Sequence, residues 1–238
     1  MIQATTTPTL RERLDIHRRE KPNARMRERA ADLGVSEGEL VATGCGHEAV
    51  RLDPRWTEFL PALPALGEVM ALTRNDHVIH EKDGRFDHIA FFGSTMAQVV
   101  NHDIDLRIFL RHWQHLFAVA QPSQGRILPS FQIFDAAGRA VHKIYLRPQS
   151  DEAAYRELVA RFTHPDQSPD LHVTPPTPPP RRNAPGSADR ETLRTRWLAM
   201  KDTHDFYPMV RDLGLTRRDA NALAGDDLAR ALPPAAFE

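Results

Sequence analysis

The chain opens on helix-forming stretches, turns near Gly67 to short β-branched and aromatic runs, and returns to helices after a proline-rich stretch. Leu10 to Arg19 is rich in good helix formers and is broken by Pro22-Asn23. A second helix is predicted from about Ala24 to Leu33, stopped by Gly34 as a C-cap. Ser36 with Glu39 offers a capping box for a short third helix. Asp53-Pro54 sets an N-cap ahead of a proline at the first helical position. It predicts a helix from Arg55 to Leu63 carrying Trp56, Phe59 and Leu60.

From Gly67 the pattern predicts strands. Glu68–Thr73, Val78–Lys82 and His88–Phe92 are separated by turn residues such as Asp83-Gly84. Phe131–Phe134 and Val141–Leu146 flank Asp135-Ala-Ala-Gly138, the signature of a hairpin. Asp151 to Phe162 reads as an amphipathic helix, with Ala154, Tyr155, Leu158, Val159 and Phe162 on one face. Helices, antiparallel strands and a closing helix predict an α+β domain over residues 8–163.

Residues 164–188 hold too many prolines for a core element and are expected to be an extended linker, partly polyproline II. Residues 189–238 are expected to be helical, with helices over 190–201, 206–213 and 217–231 and Thr216 as an N-cap. Leu10-Arg-Glu-Arg13 is echoed by Leu193-Arg-Thr-Arg196, and Asp32-Leu-Gly-Val-Ser36 by Asp212-Leu-Gly-Leu-Thr216. The echo predicts a second repeat of which only the helical opening is present.

Composition narrows the class. With 41% hydrophobic and 26% charged residues the chain suits a folded soluble protein. A net charge of −1 leaves no electrostatic footprint for nucleic acid, and no apolar run is long enough to cross a membrane. The N-terminus lacks the pattern of a secretory signal, so the cytoplasm is the expected compartment. Cys45 is the single cysteine, so metal chemistry must rest on histidine, carboxylate or a metal inside a cofactor.

The twelve histidines supply the candidates. His77 and His80 on a strand would face opposite sides and could not share a metal. His112 and His115 on a helix would share a face, yet supply only half of a tetrahedral shell. His204, in Lys201-Asp-Thr-His-Asp-Phe-Tyr-Pro208, has no counterpart in the first repeat and precedes a helix whose first turn holds Pro208. By spacing alone His204 reads first as a surface loop histidine and second as a neutral imidazole fit for iron. Arg107, set among apolar residues, reads either as an edge salt bridge or as an anion contact. There is no glycine-rich phosphate loop, no strand-to-helix nucleophile elbow and no H-E-x-x-H.

Gly67-Glu-Val-Met-Ala-Leu-Thr-Arg-Asn-Asp-His-Val-Ile-His-Glu-Lys82, Asp103-Ile-Asp-Leu-Arg-Ile-Phe-Leu-Arg-His-Trp113 and Phe131-Gln-Ile-Phe-Asp-Ala-Ala-Gly-Arg-Ala-Val-His-Lys-Ile-Tyr-Leu146 resemble the cytoplasmic haemin-degrading factors, the HemS/ChuS family. Lys201-Asp-Thr-His-Asp-Phe-Tyr207 and Leu215-Thr-Arg217 resemble the start of that family's second repeat. The resemblance implies two similar α+β halves, with haem held between sheet and helices. It assigns His204 as axial iron ligand, Arg107 to the other side of the iron, Arg217 to the haem propionates and His80 as an alternative ligand. It leaves three readings open: haem degradation with iron release, haem carriage or buffering, and a truncated repeat with weak binding. A haem transporter, an electron-donor protein and a second copy of the chain are the partners it suggests.

Overall fold

Helix α1 (Leu10–Glu20) starts at Thr9, whose hydroxyl and backbone are bonded reciprocally with Glu12. The computed structural model describes residues 7–75, 77–123, 126–175 and 189–237, and divides into two compact units between Pro176 and Thr177. Helix α2 (Met26–Leu33) ends at Gly34, at φ 70°, and α3 (Glu37–Ala42) begins from the Ser36–Glu39 box. These three helices meet around Leu14, Ala30 and Leu40.

Helix α4 (Trp56–Ala62) begins later than Asp53-Pro54 predicts, with Arg55 at the N-cap and no side-chain cap. The backbone N–H of Asp53 donates instead to the carbonyl of Phe162, and its carboxylate pairs with Arg55. That tie to the domain's last helix holds Asp53 away from the capping position.

The strands are β1 (Ala49–Leu52), β2 (Glu68–Arg74), β3 (Ile79–Arg85), β4 (Ile89–Phe92), β5 (Met96–Val100), β6 (Asp105–Phe109), β7 (His115–Ser123), β8 (Arg126–Phe134) and β9 (Ala140–Leu146). They form a six-stranded sheet in the order β1-β7-β8-β9-β2-β3 and a three-stranded sheet in the order β4-β5-β6, antiparallel throughout. With the helices they make the α+β fold. Asp83 and Gly84 are no turn: they lie inside β3, opposite Met70 and Val69. A Cβ on Gly84 would come 2.8 Å from that of Asp103, so its glycine serves close packing. His112 ends a 3-10 turn and His115 opens β7, so they share no helix face.

One face of the large sheet carries the main core. Helix α5 (Glu152–Phe162), capped by Asp151, brings Phe162 edge-on to Phe59, which in turn meets Phe131 edge-on. Ala97, Val99 and Ile108 of the small sheet join the same cluster. On the opposite face Val41 and Ala42 of α3 pack on Phe117, Val119 and Phe134. Residues 164–175 run along this unit rather than away from it. Gln167 bonds twice to the backbone of Arg51, and the N–H of Thr174 donates to the carbonyl of Ala136. The rest of the expected linker, 176–188, lies outside the described residues.

The second unit holds α6 (Arg190–Leu198), a 3-10 turn (Thr203–Asp205), α7 (Phe206–Asp212) and α8 (Arg217–Ala224) around Leu193, Met209, Val210 and Leu215. Its punctuation matches that of the first three helices. Gly214 takes φ 66°, Thr216 forms a box with Asp219, and Leu215 N–H reaches the Val210 carbonyl as Val35 N–H reaches that of Ala30. The echoed arginines also act alike. Arg11 donates to the Thr43 carbonyl and to Glu48, while Arg194 donates to the Ala224 carbonyl and to Asp227. Each clamps the end of the third helix to a carboxylate just beyond it. That clamp, with Gly225 at φ 95°, ends α8 at Ala224, short of the predicted residue 231.

Candidate functional site

His204 stands in the tight turn between α6 and α7. Asp202 caps this turn, its Oδ1 accepting the backbone N–H of His204 at 2.7 Å and also bonding the ring Nδ1. Asp205 closes the turn from the other side, accepting the N–H groups of Lys201 and Asp202. The His204 side chain is 94% exposed, and Nε2 has no hydrogen-bond partner among the described residues. The hydrogen bonds from His204, backbone first and ring second, hold the Asp202 carboxyl below its usual range. A carboxylate can only accept, so the shared proton sits on Nδ1, and in the neutral ring the lone pair is then on Nε2. That is the tautomer in which an imidazole binds a metal.

Beside this turn lies a cleft of about 470 Å³ lined by Trp197, Met200, Thr203, Phe206, Arg217 and Asn221. Trp197 and Phe206 meet edge-on at 4.8 Å, and the Arg217 guanidinium lies 6.0 Å from the Phe206 ring centre. An aromatic and thioether wall, one guanidinium and a neighbouring free imidazole nitrogen suit a planar apolar metal chelate that carries carboxylates. The second unit thus places Arg217 in the cleft wall and His204 next in sequence to Thr203, which also lines it.

The other two candidates lie in the first unit, on different sheets. Arg107 projects from β6, half exposed, and pairs with Asp105 two residues before it. Phe92, Phe109 and Val100 are exposed on the same small sheet. His80 is exposed on the edge strand β3, opposite Thr73 in register. On the other side of Thr73 stands His142, fully buried, with Nδ1 2.8 Å from the Thr73 hydroxyl and Nε2 unpartnered. Among the described residues no group of three histidine, cysteine, aspartate or glutamate side chains could hold a metal ion, and no helix is long and apolar enough to cross a membrane.

A family model, the haemin-degrading HemS.ChuX domain, matches residues 34–162, from the end of α2 to the end of α5. The chain belongs to this family. The hemin transport protein HmuS of Yersinia pestis, a HemS/ChuX relative, is 35% identical over 210 residues, covering 88% of this chain and 60% of HmuS. Among solved structures, holo-PhuS, a heme-binding protein from Pseudomonas aeruginosa, superposes with a TM-score of 0.87 at 41% identity. That match covers 92% of this chain, too much for all of 189–237 to lie outside it, and 63% of PhuS. ChuS, described as an E. coli heme oxygenase, gives a TM-score of 0.74 at 30% identity, over 89% of this chain and 62% of ChuS. The chain spans about 60% of the length of its HmuS relative.

The HemS/ChuX domain match covers Arg107 and His80 and stops short of His204 and Arg217. Sequence reasoning missed Asp202, Trp197, Met200 and Phe206. A signal was present in part: Trp197 and Met200 are three residues apart, and Arg217 and Asn221 four apart on one helix face.

Proposed function

We propose that this chain binds haem, with Nε2 of His204 as the axial ligand to iron and Arg217 as the partner of a propionate. The observation that carries this reading is the His204 ring itself, exposed and held by Asp202 on one nitrogen, in a turn whose Thr203 lines an aromatic cleft. Haem supplies the redox-active iron, and the chain supplies the axial nitrogen, an apolar wall and a cation. The two helical triplets, with matching caps and arginine clamps, are read as copies of one unit. We assign the chain to cytoplasmic haem-iron uptake, in which it receives haem and supports ring cleavage and iron release. Arg107 is the proposed catalytic hydrogen-bond donor, and His80 an alternative ligand.

A second reading, carriage without turnover, is favoured by the ion pair that engages Arg107 with Asp105. Haem titration of the chain tests the first claim: a sharp Soret band is expected, collapsing in His204→Ala. An unchanged spectrum in that variant removes His204 as the ligand. With an electron donor, oxygen and catalase present, iron captured by a ferrous chelator supports degradation. A Soret band that persists without iron release establishes carriage.

A further inference from the structure

We propose that Asp202 is a positioning residue for His204, a carboxylate that fixes the ring's tautomer and strengthens Nε2 as a donor. The iron-donor half of this inference rests on the reading that His204 binds haem. The tautomer half rests on geometry alone.

One oxygen of Asp202 accepts both the backbone N–H and the Nδ1–H of His204. Two bonds to one atom fix the ring's orientation relative to its own backbone. Asp202 is fixed in turn, because its N–H and that of Lys201 both donate to Asp205. The ring therefore hangs from a closed turn whose first residue, Thr203, lines the cleft.

The first unit offers an internal comparison. Its buried His17 uses both nitrogens, Nδ1 accepting from Arg29 at 3.1 Å and Nε2 bonded to Asp32 at 2.8 Å. Such a ring can only be structural. In the second unit, Met200 and Met209 stand near the places that His17 and Arg29 hold in the first, by the offsets of the echoed motifs. His204 instead sits outside the small core, with one nitrogen held and one free. A carboxylate behind a ligating histidine raises the basicity of the nitrogen that faces the metal, and losing it typically lowers metal affinity about 10- to 100-fold.

The test uses the full chain with two variants. Asp202→Ser keeps a side-chain cap for the turn but cannot reach the ring as a carboxylate does. Asp202→Asn keeps an acceptor oxygen and removes the charge. In the haem-free protein, above the imidazole titration range, long-range proton–nitrogen correlation of His204 is expected to show Nδ1–H in wild type and a shift toward Nε2–H in Asp202→Ser. In the haem complex, the iron–histidine stretching frequency should fall in both variants, and ferric haem affinity should drop about 10- to 100-fold. The reduction midpoint should rise by about 59 mV for each tenfold by which ferric binding weakens more than ferrous. An Nε2–H ring in the wild-type apoprotein overturns the inference. So do unchanged frequency and affinity in both variants, with far-UV dichroism like wild type. If haem spectra are indifferent to His204→Ala, the ligand reading fails and takes the iron-donor half with it. The apoprotein tautomer then decides alone whether Asp202 holds the ring.

Discussion

His142 lies nearly parallel to Trp113, ring centroids 5.6 Å and planes 14° apart, in the interior of the first unit. Its Nδ1 bonds the Thr73 hydroxyl, Phe86 tilts against it at 5.8 Å, and Nε2 has no partner. Burial first, and then the neighbouring His80, push its pKa from the usual 6.5 down to about 3. The unfolded chain therefore takes up the proton before the folded one. Stability from this ring is complete above pH 6.5 and is lost as pH falls toward 3, by about 1.4 kcal/mol per pH unit within that window. Urea unfolding of the first unit at neutral and mildly acidic pH should show this slope. His142→Phe, which keeps the ring on Trp113, should flatten it. An equal slope in the variant would clear His142 of the effect.

Glu37, the first residue of α3, is buried between Lys143 and Arg74, each 2.5 Å away. Burial pushes the Glu37 carboxyl up, but the two cations outweigh it and hold the group below its usual range. Glu37→Met strands the buried Lys143 ammonium and should cost about 3–5 kcal/mol in chemical denaturation. Glu37→Met with Lys143→Met should recover most of that loss, since a buried pair adds little over packed apolar groups. A double variant no better than the single would contradict this account.

Gly38 and Gly138 meet backbone to backbone, the N–H of Gly38 donating to the Gly138 carbonyl at 2.8 Å. Gly138 takes φ 72°, and a Cβ there would lie 2.7 Å from that of Ser36. Gly138→Ala should destabilise the first unit by about 1–3 kcal/mol through strain and the displaced α3 start. Gly93→Ala, strained at φ 64° but facing open space, serves as the control and should cost less. Thermal melts of the two variants decide the order.

Among the described residues Arg217 is the one cation lining the cleft beside Phe206. Removing a charge-assisted bond worth about 1.5–3 kcal/mol, Arg217→Ala should weaken haem binding roughly 10- to 100-fold, with the Soret position kept. Arg217→Lys should fall between, because an ammonium cannot make the two-pronged contact. Equal affinities across the three proteins would remove the propionate role.

Much of the local structure was legible because its causes lie within a few residues. The Ser36–Glu39 box, the Gly34 stop, the Thr216 cap and the Asp151 start of α5 each need only neighbours in sequence. The α+β class, the hairpin around Gly138 and the family resemblance were legible for the same reason, and so was His204 as a residue with no match in the echoed N-terminal stretch. What lay beyond reach depends on partners distant in sequence. Strand β1 is held by β7, nearly seventy residues on, and Asp83-Gly84 is extended because β2 pairs across it. Glu37 has its ion partner 106 residues away in Lys143, and Asp53 its tether in the last turn of α5. The site divides in the same way. The sequence alone named an imidazole and a guanidinium. Only the folded turn decided that Asp202 takes one ring nitrogen and leaves the other free, because a hydrogen bond depends on where atoms end up and composition carries no direction.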